Sequence, residues 1–310
     1  MERKKKKEEH DMYDLVIIGG GPAGMTAALY GLRAGKSVML IEKDGFGGQM
    51  TFSPKIENYP GFASVSGSEL ADKMVEQILS QGAEVAVEKA LAVTKNDDGT
   101  KTVTTDASSY VARAVILATG ARHRLLGVPG ESDLVGDGIS FCAVCDGAFY
   151  AGRDVAVIGG GNSALQEALL LAETSKSVTV LQNLDDFTGE RKLVDLLLAK
   201  PNVRAVFGTT VKGFAKAGDQ IEVNIEDKDG AKTVCADGVF VAIGLAPDNG
   251  AFADLVTLDN GYIAADEGCK TSADGVFTAG DCRTKSVRQV ATAIADGATA
   301  ALAACEYIDR

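Results

Sequence analysis

The chain alternates short, largely apolar runs with glycine-rich turns and longer stretches of helical pattern. Tyr13–Ile18 is rich in β-branched side chains, and its length suits a buried parallel strand. A helix is predicted from Pro22 to Ala34, because proline occupies its first turn and Gly35 follows its end. Ser37–Ile41 is a second apolar run. Together these segments predict one strand–loop–helix–strand unit.

The same pattern recurs in the middle of the chain, which indicates an internal duplication. Asp154–Ile158 predicts a strand, a helix follows to about Glu173, and Ser177–Leu181 predicts the next strand. Ala114–Gly120 and Val239–Gly244 support the duplication, since each ends an apolar strand in glycine. Two such units imply two nucleotide-like ligands, or one ligand and one vestigial site.

The order of these segments predicts an α/β fold of two Rossmann-like domains, each a three-layer ββα arrangement, with the second inserted in the first. Residues 120–130 and 243–250 are the predicted connectors, and an alanine-rich helix at Val290–Ile308 is expected to pack on the first domain. The expected boundaries are residues 11–121 and 247–310 for the first domain and 122–246 for the inserted one.

Composition narrows the class of partner. The chain has 310 residues, of which 46% are hydrophobic and 24% charged, which fits two globular domains. Its net charge of −12 argues against nucleic acid or an anionic membrane as partner.

No apolar run approaches the ~20 residues that cross a bilayer. Residues 1–10 lack the apolar core of a secretory signal. We expect a disordered tail or an addition made for expression there, with a functional basic arm as the alternative, and a cytoplasmic chain.

The turn after the first strand has the spacing of a dinucleotide loop, at Gly19, Gly21 and Gly24. The first glycine permits the tight turn, the second lets the backbone approach a pyrophosphate, and the third lets helix and strand meet. The phosphates then lie at a helix N-terminus, where free N–H groups favour anions. Glu42 is placed to accept hydrogen bonds from ribose hydroxyls. The alternatives are a turn without ligand and an exposed strand-end carboxylate.

A weaker copy of this loop follows the strand at Asp154–Ile158, with alanine as the third member of the motif. Its candidate nucleotide-binding residues are Gly159, Gly161, Asn162, Ser163, Ala164 and Gln182. The alternative is a structural relic that binds no nucleotide.

Cys142 and Cys145 are separated by two residues, a spacing that readily forms a disulfide and lowers the pKa of one thiol. In the cytosol such a pair is more often catalytic than structural. A zinc site needs a second close ligand pair, and the other cysteines and the histidines form no cluster in the sequence. Buried inert cysteines are the other alternative. We predict a redox-active pair, no metal site, and Asp146 as the proton-exchanging group, or else as a cap before Gly147.

These motifs together resemble the low-molecular-weight thioredoxin reductases, over about Tyr13 to Ile308. The resemblance rests on the order of the two glycine loops, the cysteine pair and four further motifs: Gly47–Met50, Glu57–Gly61, Thr278–Cys282 and Arg288–Ala291. The larger disulfide reductases carry their redox pair near the first of these four motifs, where this chain has no cysteine.

The resemblance implies an FAD-dependent enzyme that passes electrons from the flavin to the Cys142–Cys145 disulfide and on to a thioredoxin-like protein. Cys145 would lie next to the flavin, Cys142 would exchange with the substrate, and Asp146 would act as acid and base. A homodimer and a nucleotide domain that rotates about the connectors are also implied. The implied FAD-binding residues are Gly19, Gly21, Pro22, Ala23, Gly24, Glu42, Lys43, Gly47, Gly48, Gln49, Asn58, Val87, Thr119, Gly120, Gly280, Asp281, Arg288, Gln289, Val290 and Ala291.

The chain departs from the family where NADPH-dependent members carry cationic side chains for the 2′-phosphate. The corresponding segment has no cation and holds Gln182, Asn183, Leu184, Asp185, Asp186 and Thr188. A charge-assisted bond is typically worth about 1.5–3 kcal/mol, so the loss of two lowers affinity roughly a hundredfold or more. We therefore expect NADH, whose ribose Gln182 could bind, or a non-nicotinamide donor such as ferredoxin, rather than NADPH.

The sequence leaves two other functions open. Some relatives oxidise small dithiols with oxygen and also lack a working NADPH site. A flavin-binding redox sensor is the non-enzyme alternative, and the intact cysteine pair followed by Asp146 argues against it.

Overall fold

The computed structural model describes residues 12–53 and 55–310, so the prediction for residues 1–10 lies outside the described residues. The first part of the chain forms β1 (Tyr13–Ile18), α1 (Pro22–Arg33), β2 (Val38–Glu42), α2 (Gly67–Ser80), β3 (Glu84–Val87), β4 (Ala90–Lys95), β5 (Lys101–Thr105), β6 (Ser109–Leu117) and β7 (Ala121–His123). The middle part forms α3 (Glu131–Leu134), β8 (Ile139–Ser140), α4 (Ala143–Asp146), β9 (Asp154–Ile158), α5 (Asn162–Ala172), β10 (Ser177–Leu181), α6 (Arg191–Leu198), β11 (Val203–Val206), β12 (Thr210–Ala217), β13 (Gln220–Asp227), β14 (Gly230–Ala236) and β15 (Gly238–Val241). The last part forms β16 (Leu245–Pro247), β17 (Leu258–Asp259), β18 (Tyr262–Ile263), β19 (Val276–Thr278) and α7 (Val290–Ile308).

One mixed sheet and one parallel sheet organise these elements. In the first sheet β3, β2, β1 and β6 are parallel neighbours, β19 extends the parallel part from β6, and β5 and β4 continue antiparallel. The second sheet has the parallel order β11-β10-β9-β15-β8, and β12–β14 form an antiparallel sheet of their own. Because β8 to β15 lie between β6 and β19 in the chain, the second Rossmann-like domain is inserted in the first, which confirms the predicted fold class.

The central strands β1 and β9 are largely apolar because both faces of each sheet are covered at these strands. In β1, Leu15 and Ile17 face the core that contains α1 and α7, whereas Val16 and Ile18 face a second core on the other side of the sheet. Strand β9 divides its side chains in the same way, between α5 and the antiparallel sheet. Each domain therefore has three layers.

Strands β1, β9 and β10 have the predicted bounds, whereas β2 is shifted by one residue at both ends, from the predicted Ser37–Ile41 to Val38–Glu42. It begins at Val38 because Ser37 instead exchanges hydrogen bonds with Asp14: Ser37 N–H donates to Asp14 Oδ2 at 3.0 Å, and Asp14 N–H donates to Ser37 Oγ at 2.8 Å. The side chain of Ser37 thus caps the start of the strand.

The two connectors are paired with each other rather than independent loops. β7 and β16 form an antiparallel ribbon in which Arg122 lies opposite Ala246. The predicted domain boundaries fall within these two strands and remain a prediction. None of the helices in the described part of the chain combines the length and apolarity that a bilayer crossing requires.

Candidate active site

The first glycine loop is shaped by two close backbone approaches and one open position. A Cβ atom at Gly19 would lie 2.1 Å from the Ala118 carbonyl oxygen, and one at Gly24 would lie 1.8 Å from the Gly19 carbonyl oxygen. A Cβ atom at Gly21 would meet no heavy atom of the described chain within 4 Å. Gly21 leads into α1 without a side-chain cap, and Pro22 occupies its first turn. The loop therefore offers open space and backbone N–H groups to a pyrophosphate.

Glu42 holds this loop from the end of β2. Its Oε2 accepts a hydrogen bond from Gly20 N–H at 2.6 Å. Val87, which pairs with Glu42 in the adjacent strand β3, is exposed. Lys43 Nζ donates to Oδ2 of Asp248, the residue after β16, at 2.5 Å. A carboxylate has more acceptor capacity than the loop uses, so Glu42 can still accept a bond from a ribose hydroxyl.

The segment Gly47–Gln49 lies directly against the first loop. Gly47 and Gly48 have left-handed backbone conformations, with φ of 108° and 58°, which favour glycine. Gly47 N–H donates to the Gly20 carbonyl at 2.8 Å. A Cβ atom at Gly47 would lie 2.6 Å from Ala71 Cβ, so this position also excludes larger residues sterically. Gln49 follows in a 3₁₀ turn and is exposed.

Asn249 ties three segments of the first domain together, although no sequence motif marked it. The Thr119 hydroxyl donates to its Oδ1 at 2.7 Å, and its Nδ2 donates to the carbonyls of Gly261 and Cys282, each at 2.9 Å. Gly120 follows Thr119 with a φ of 71°. Because Asn249 is 1% exposed and its bond to the Cys282 carbonyl is buried, its loss would leave that carbonyl without this donor.

Gly280 and Asp281 lie beside the first turn of α1. A Cβ atom at Gly280 would lie 2.8 Å from Ala23 Cβ, and Gly280 N–H donates to Asp296 Oδ2 at 3.0 Å. Arg288 Nε donates to the Asp281 carbonyl at 3.4 Å. Asp281 Oδ1 is buried without a hydrogen-bond partner among the described residues, and burial raises the pKa of this carboxyl. A buried acceptor without a donor fits a ligand hydroxyl.

Asp296 of α7 anchors that motif through a buried ion cluster. Its carboxylate accepts bonds from Arg283 Nε and Nη2 and from Lys285 Nζ, each at 2.8 Å. Burial opposes ionisation of Asp296, but the bonds from the two cations hold the pKa below its usual value. The three side chains are almost fully buried, so each charge depends on the others.

The N-terminus of α7 reaches the cysteine pair. Gln289 caps this helix, and Val290 and Ala291 form its first turn. Gln289 Oε1 accepts a bond from Asn58 Nδ2 at 3.1 Å, and Gln289 Nε2 lies 4.0 Å from Cys142 Sγ. The residues predicted for the flavin half of FAD thus lie against the predicted redox pair.

Cys142 and Cys145 are joined by a disulfide at the start of α4. Cys142 is the N-cap residue, and Cys145 N–H donates to Cys142 Sγ at 3.2 Å. After reduction, the same N–H would stabilise a thiolate on Cys142 and lower the pKa of that thiol.

Asp146 ends α4 and is held by Ser140, a residue that sequence analysis missed. The Ser140 hydroxyl donates to Asp146 Oδ2 at 2.6 Å, and Ser140 Oγ accepts a bond from Cys142 N–H at 3.1 Å. Burial raises the pKa of Asp146, and the bond from Ser140 opposes that shift. A carboxyl with a raised pKa beside a thiol pair suits acid–base chemistry.

The second glycine loop is covered by the segment that follows β10. Gln182 is 4% exposed, its Nε2 donates to the Asp186 carbonyl at 3.1 Å, and its Oε1 accepts from Asn183 N–H at 3.1 Å. A Cβ atom at Gly160 would lie 2.2 Å from Gln182 Nε2, and Thr188 N–H donates to the Gly160 carbonyl at 2.9 Å. Gln182 therefore binds its own loop, and a ribose contact would require these bonds to exchange.

A carboxylate also lies at the start of α5. Asn162 Oδ1 accepts a bond from Glu190 N–H at 2.7 Å, and Asn162 Nδ2 donates to Glu190 Oε1 at 3.1 Å. Of the other predicted members of this site, Gly159 and Gly161 lie in the loop before α5, and Ser163 and Ala164 lie in its first turn. A negative charge near this helix N-terminus opposes the binding of the pyrophosphate of a dinucleotide there.

The residues of the first site fit FAD. The loop leaves room at Gly21, Asp281 has an unpaired buried oxygen, and the start of α7 lies beside a disulfide. This fold and this site define an FAD-dependent disulfide oxidoreductase.

Comparisons with known proteins agree with that class. The family model for pyridine nucleotide-disulphide oxidoreductases matches residues 13–297. The thioredoxin reductase of Listeria monocytogenes is 42% identical over 306 residues, covering 97% of this chain and 96% of that protein. The "34.2 kDa protein in rubredoxin operon" of Clostridium pasteurianum is 39% identical over 305 residues, covering 97% and 99%. The crystal structure of Streptococcus pyogenes thioredoxin reductase superposes with a TM-score of 0.92 at 41% identity, covering 96% of this chain and 98% of that one. The chain belongs to the low-molecular-weight thioredoxin reductase family, as its motifs predict.

Proposed function

We propose that this protein reduces the disulfide of a thioredoxin-like protein, with electrons that pass from bound FAD through Cys142 and Cys145. The observation that carries this proposal is the 4.0 Å contact between Gln289 Nε2 and Cys142 Sγ, which brings the disulfide to the proposed flavin face. Bound FAD supplies two-electron reduction at this point. The names of the relatives support a thioredoxin-like acceptor.

The two cysteines have different proposed roles. We propose that Cys145 exchanges electrons with the flavin, as the family resemblance implies, and that Cys142 attacks the substrate disulfide. Support for this assignment comes from the Cys145 N–H, which lies 3.2 Å from Cys142 Sγ and favours the attacking thiolate. Asp146 gives a proton to the departing substrate thiolate and takes one from the Cys145 thiol.

A protein substrate requires the inserted domain to move, because the disulfide is half-buried against the first domain. We propose the β7–β16 ribbon as the hinge, with the predicted boundaries at residues 121/122 and 246/247. Movement would break weak contacts between the domains, such as the Lys55 ammonium 4.9 Å from the Phe149 ring centroid.

The proposed electron donor is NADH or a reduced carrier protein such as ferredoxin, rather than NADPH. The exposed positions Asn183, Leu184 and Thr188 offer no positive charge to a 2′-phosphate, and Glu190 sits at the start of α5. The Clostridium pasteurianum relative is named for a rubredoxin operon, which supports an electron-carrier protein. Anaerobic addition of NADH, NADPH or reduced ferredoxin, followed by the flavin absorbance, tests the donor. Rapid bleaching by micromolar NADPH would contradict this proposal.

Trapping of a mixed disulfide tests the acceptor half. We expect Cys145→Ser to form a stable mixed disulfide between Cys142 and a thioredoxin-like protein, and Cys142→Ser to form none while it remains a yellow, folded protein. Cys235→Ser, which removes an exposed free cysteine, is the matched control and should turn over normally. Normal turnover in Cys142→Ser would refute the proposal.

We also propose a cytoplasmic homodimer. An apolar groove on the first domain, lined by side chains of α1, α2 and α7 that include Leu29, Tyr30, Met74 and Ile294, is the proposed interface. Light scattering on the purified holoprotein gives the mass directly, and a monomer at micromolar concentration would contradict the dimer.

A further inference from the structure

We propose that Glu167 is a positioning residue of the redox centre, which shares one proton with Asp146 and thereby sets the proton supply for thiol exchange. This inference deepens the proposed function and rests on it for the identity of the reaction. Glu167 lies on α5, which packs against α4, the helical turn that carries the disulfide.

The carboxyl of Glu167 stands on the face of α5 that packs against the turn carrying the cysteines. Ala143, the residue after Cys142, lies in one core cluster with Ala164 and Ala168 of that helix face. Glu167 Oε2 is buried and has no hydrogen-bond partner within the described chain.

Asp146 is arranged similarly. The Ser140 hydroxyl donates to its Oδ2, whereas its Oδ1 is buried and has no hydrogen-bond partner in the described part of the chain. Two carboxyls beside one disulfide thus each leave one oxygen without a donor.

One proton bound by the two carboxyls would relieve both their charge repulsion and their lack of hydrogen-bond donors. Two ionised carboxyls in a buried site lose hydration and repel each other. A proton on either carboxyl removes one charge and adds one O–H donor, which a buried acceptor lacks. Burial, together with the charge on Asp146, raises the pKa of Glu167 to about 7. Burial also raises the pKa of Asp146. We therefore expect the pair to hold one proton at and below neutral pH.

The other titratable groups around the pair do not supply the missing donors. The charged and titratable side chains on or next to the elements packed against α4 and α5 are Asp137, Tyr150, Arg153, Asp154, Lys176, Arg191, Lys192 and Asp195, of which Lys192 is exposed. Asp154 pairs with Lys176 and Arg191 pairs with Asp195, and both ion pairs are largely exposed. Burial raises the pKa of Tyr150, so it stays neutral.

The proton balance of thiol exchange gives the pair its role. Reduction of the disulfide by the bound flavin would supply two electrons and one proton and would leave a Cys142 thiolate and a Cys145 thiol. The thiolate attacks the substrate disulfide, and the released substrate thiolate takes a proton from the carboxyl pair. The Cys145 thiol then returns a proton to the pair and, as a thiolate, attacks Cys142 Sγ of the mixed disulfide, which expels the second substrate sulfur as a thiolate. The Cys142–Cys145 bond re-forms, and the pair ends in its starting state.

The pH profile of exchange tests this role in the holoenzyme. We expect the rate at which the reduced protein reacts with a small disulfide to show an inflection near pH 7, which Glu167→Gln loses and Glu167→Asp retains. Glu173→Gln is the matched control, because it removes an exposed carboxylate at the end of the same helix and should leave the profile unchanged. A Glu167→Gln profile that superposes on the wild type, or equal loss in Glu173→Gln, would overturn the proposal.

Infrared spectroscopy of the oxidised wild-type holoenzyme gives a second test that needs no folded variant. With carbon-13-labelled glutamate, we expect one protonated glutamate carboxyl band that titrates near pH 7. Absence of a protonated carboxyl band at neutral pH from both the glutamate-labelled and an aspartate-labelled protein would overturn the proposal. Neither readout needs a protein substrate. A protein that shows the band and the inflection but reduces no thioredoxin-like disulfide would refute the proposed function while supporting the carboxyl pair.

Discussion

Replacement of Asp296 by asparagine is expected to destabilise the FAD domain and to weaken its hold on the flavin. Asp296 accepts bonds at 2.8–3.0 Å from Gly280 N–H, the Arg283 guanidinium and the Lys285 ammonium. The Arg283 and Lys285 side chains are 2% and 5% exposed. Asparagine keeps the shape of the side chain but leaves both buried cations without their counter-charge.

The size of the effect follows from that burial. Removal of one partner from a buried ion pair typically costs about 3–5 kcal/mol. Glu267 also contacts Arg283, at 3.5 Å, but its side chain is 94% exposed and compensates little. Each kcal/mol lowers the Tm of a unit of this size by about 2–4 °C, so we expect a fall of roughly 6–20 °C.

Thermal unfolding of the flavin-free protein, with flavin fluorescence as a second signal in the holoprotein, measures this loss. Glu267→Gln is the matched control and should stay within about 0.5 kcal/mol of the wild type. Because the folded pKa of Asp296 is lowered, its contribution is present above the unfolded value of about 3.9 and is lost as pH falls below it. A loss under about 1 kcal/mol for Asp296→Asn, or an unchanged acid limb in its stability profile, would refute the reasoning.

Two further predictions concern the nucleotide loops. Gly21→Ala should fold but bind less flavin, since its Cβ enters the open cradle, whereas Gly24→Ala should lower the Tm, since its Cβ would lie 1.8 Å from the Gly19 carbonyl oxygen; equal flavin content in Gly21→Ala and wild type would contradict the cradle. Asn183→Arg adds one cation at an exposed position and should raise affinity for 2′,5′-ADP about tenfold or more, measured by calorimetry, with Asn183→Gln as the neutral control. No gain in Asn183→Arg would show that charge is not what limits binding.

Much of the fold could be predicted because the signals are local. Strands β1, β9 and β10 are apolar runs bounded by turn residues, so their predicted bounds match the structure. The helix at Val290–Ile308 was predicted from its alanine-rich pattern. By contrast, β7 and β16 have three residues each, which is too short for a hydrophobic period, and they exist because they pair with each other.

The parts of the site that sequence could not supply depend on tertiary contacts. Ser140 and Glu167 stand in no motif, and their relation to the cysteine pair arises only when β8 and α5 pack beside α4. Asn249 gains its role from partners more than ten residues away in the chain. The sequence predicts that the segment after β10 lacks positive charge, but it does not predict that this segment covers the second glycine loop. That conformation depends on the Gln182 amide, which binds the backbone of Asn183 and Asp186.

An anaerobic reductive titration tests the central claim most directly, because it counts the electrons that the flavin and the disulfide share. If Cys142–Cys145 exchanges electrons with bound FAD, dithionite should deliver four electrons per flavin to the wild type, two for each centre, and only two to Cys145→Ser. Addition of an oxidised thioredoxin-like protein should then reoxidise the wild type and not the variant. A wild-type end point equal to that of Cys145→Ser would show that the disulfide lies outside the electron path and would contradict the account.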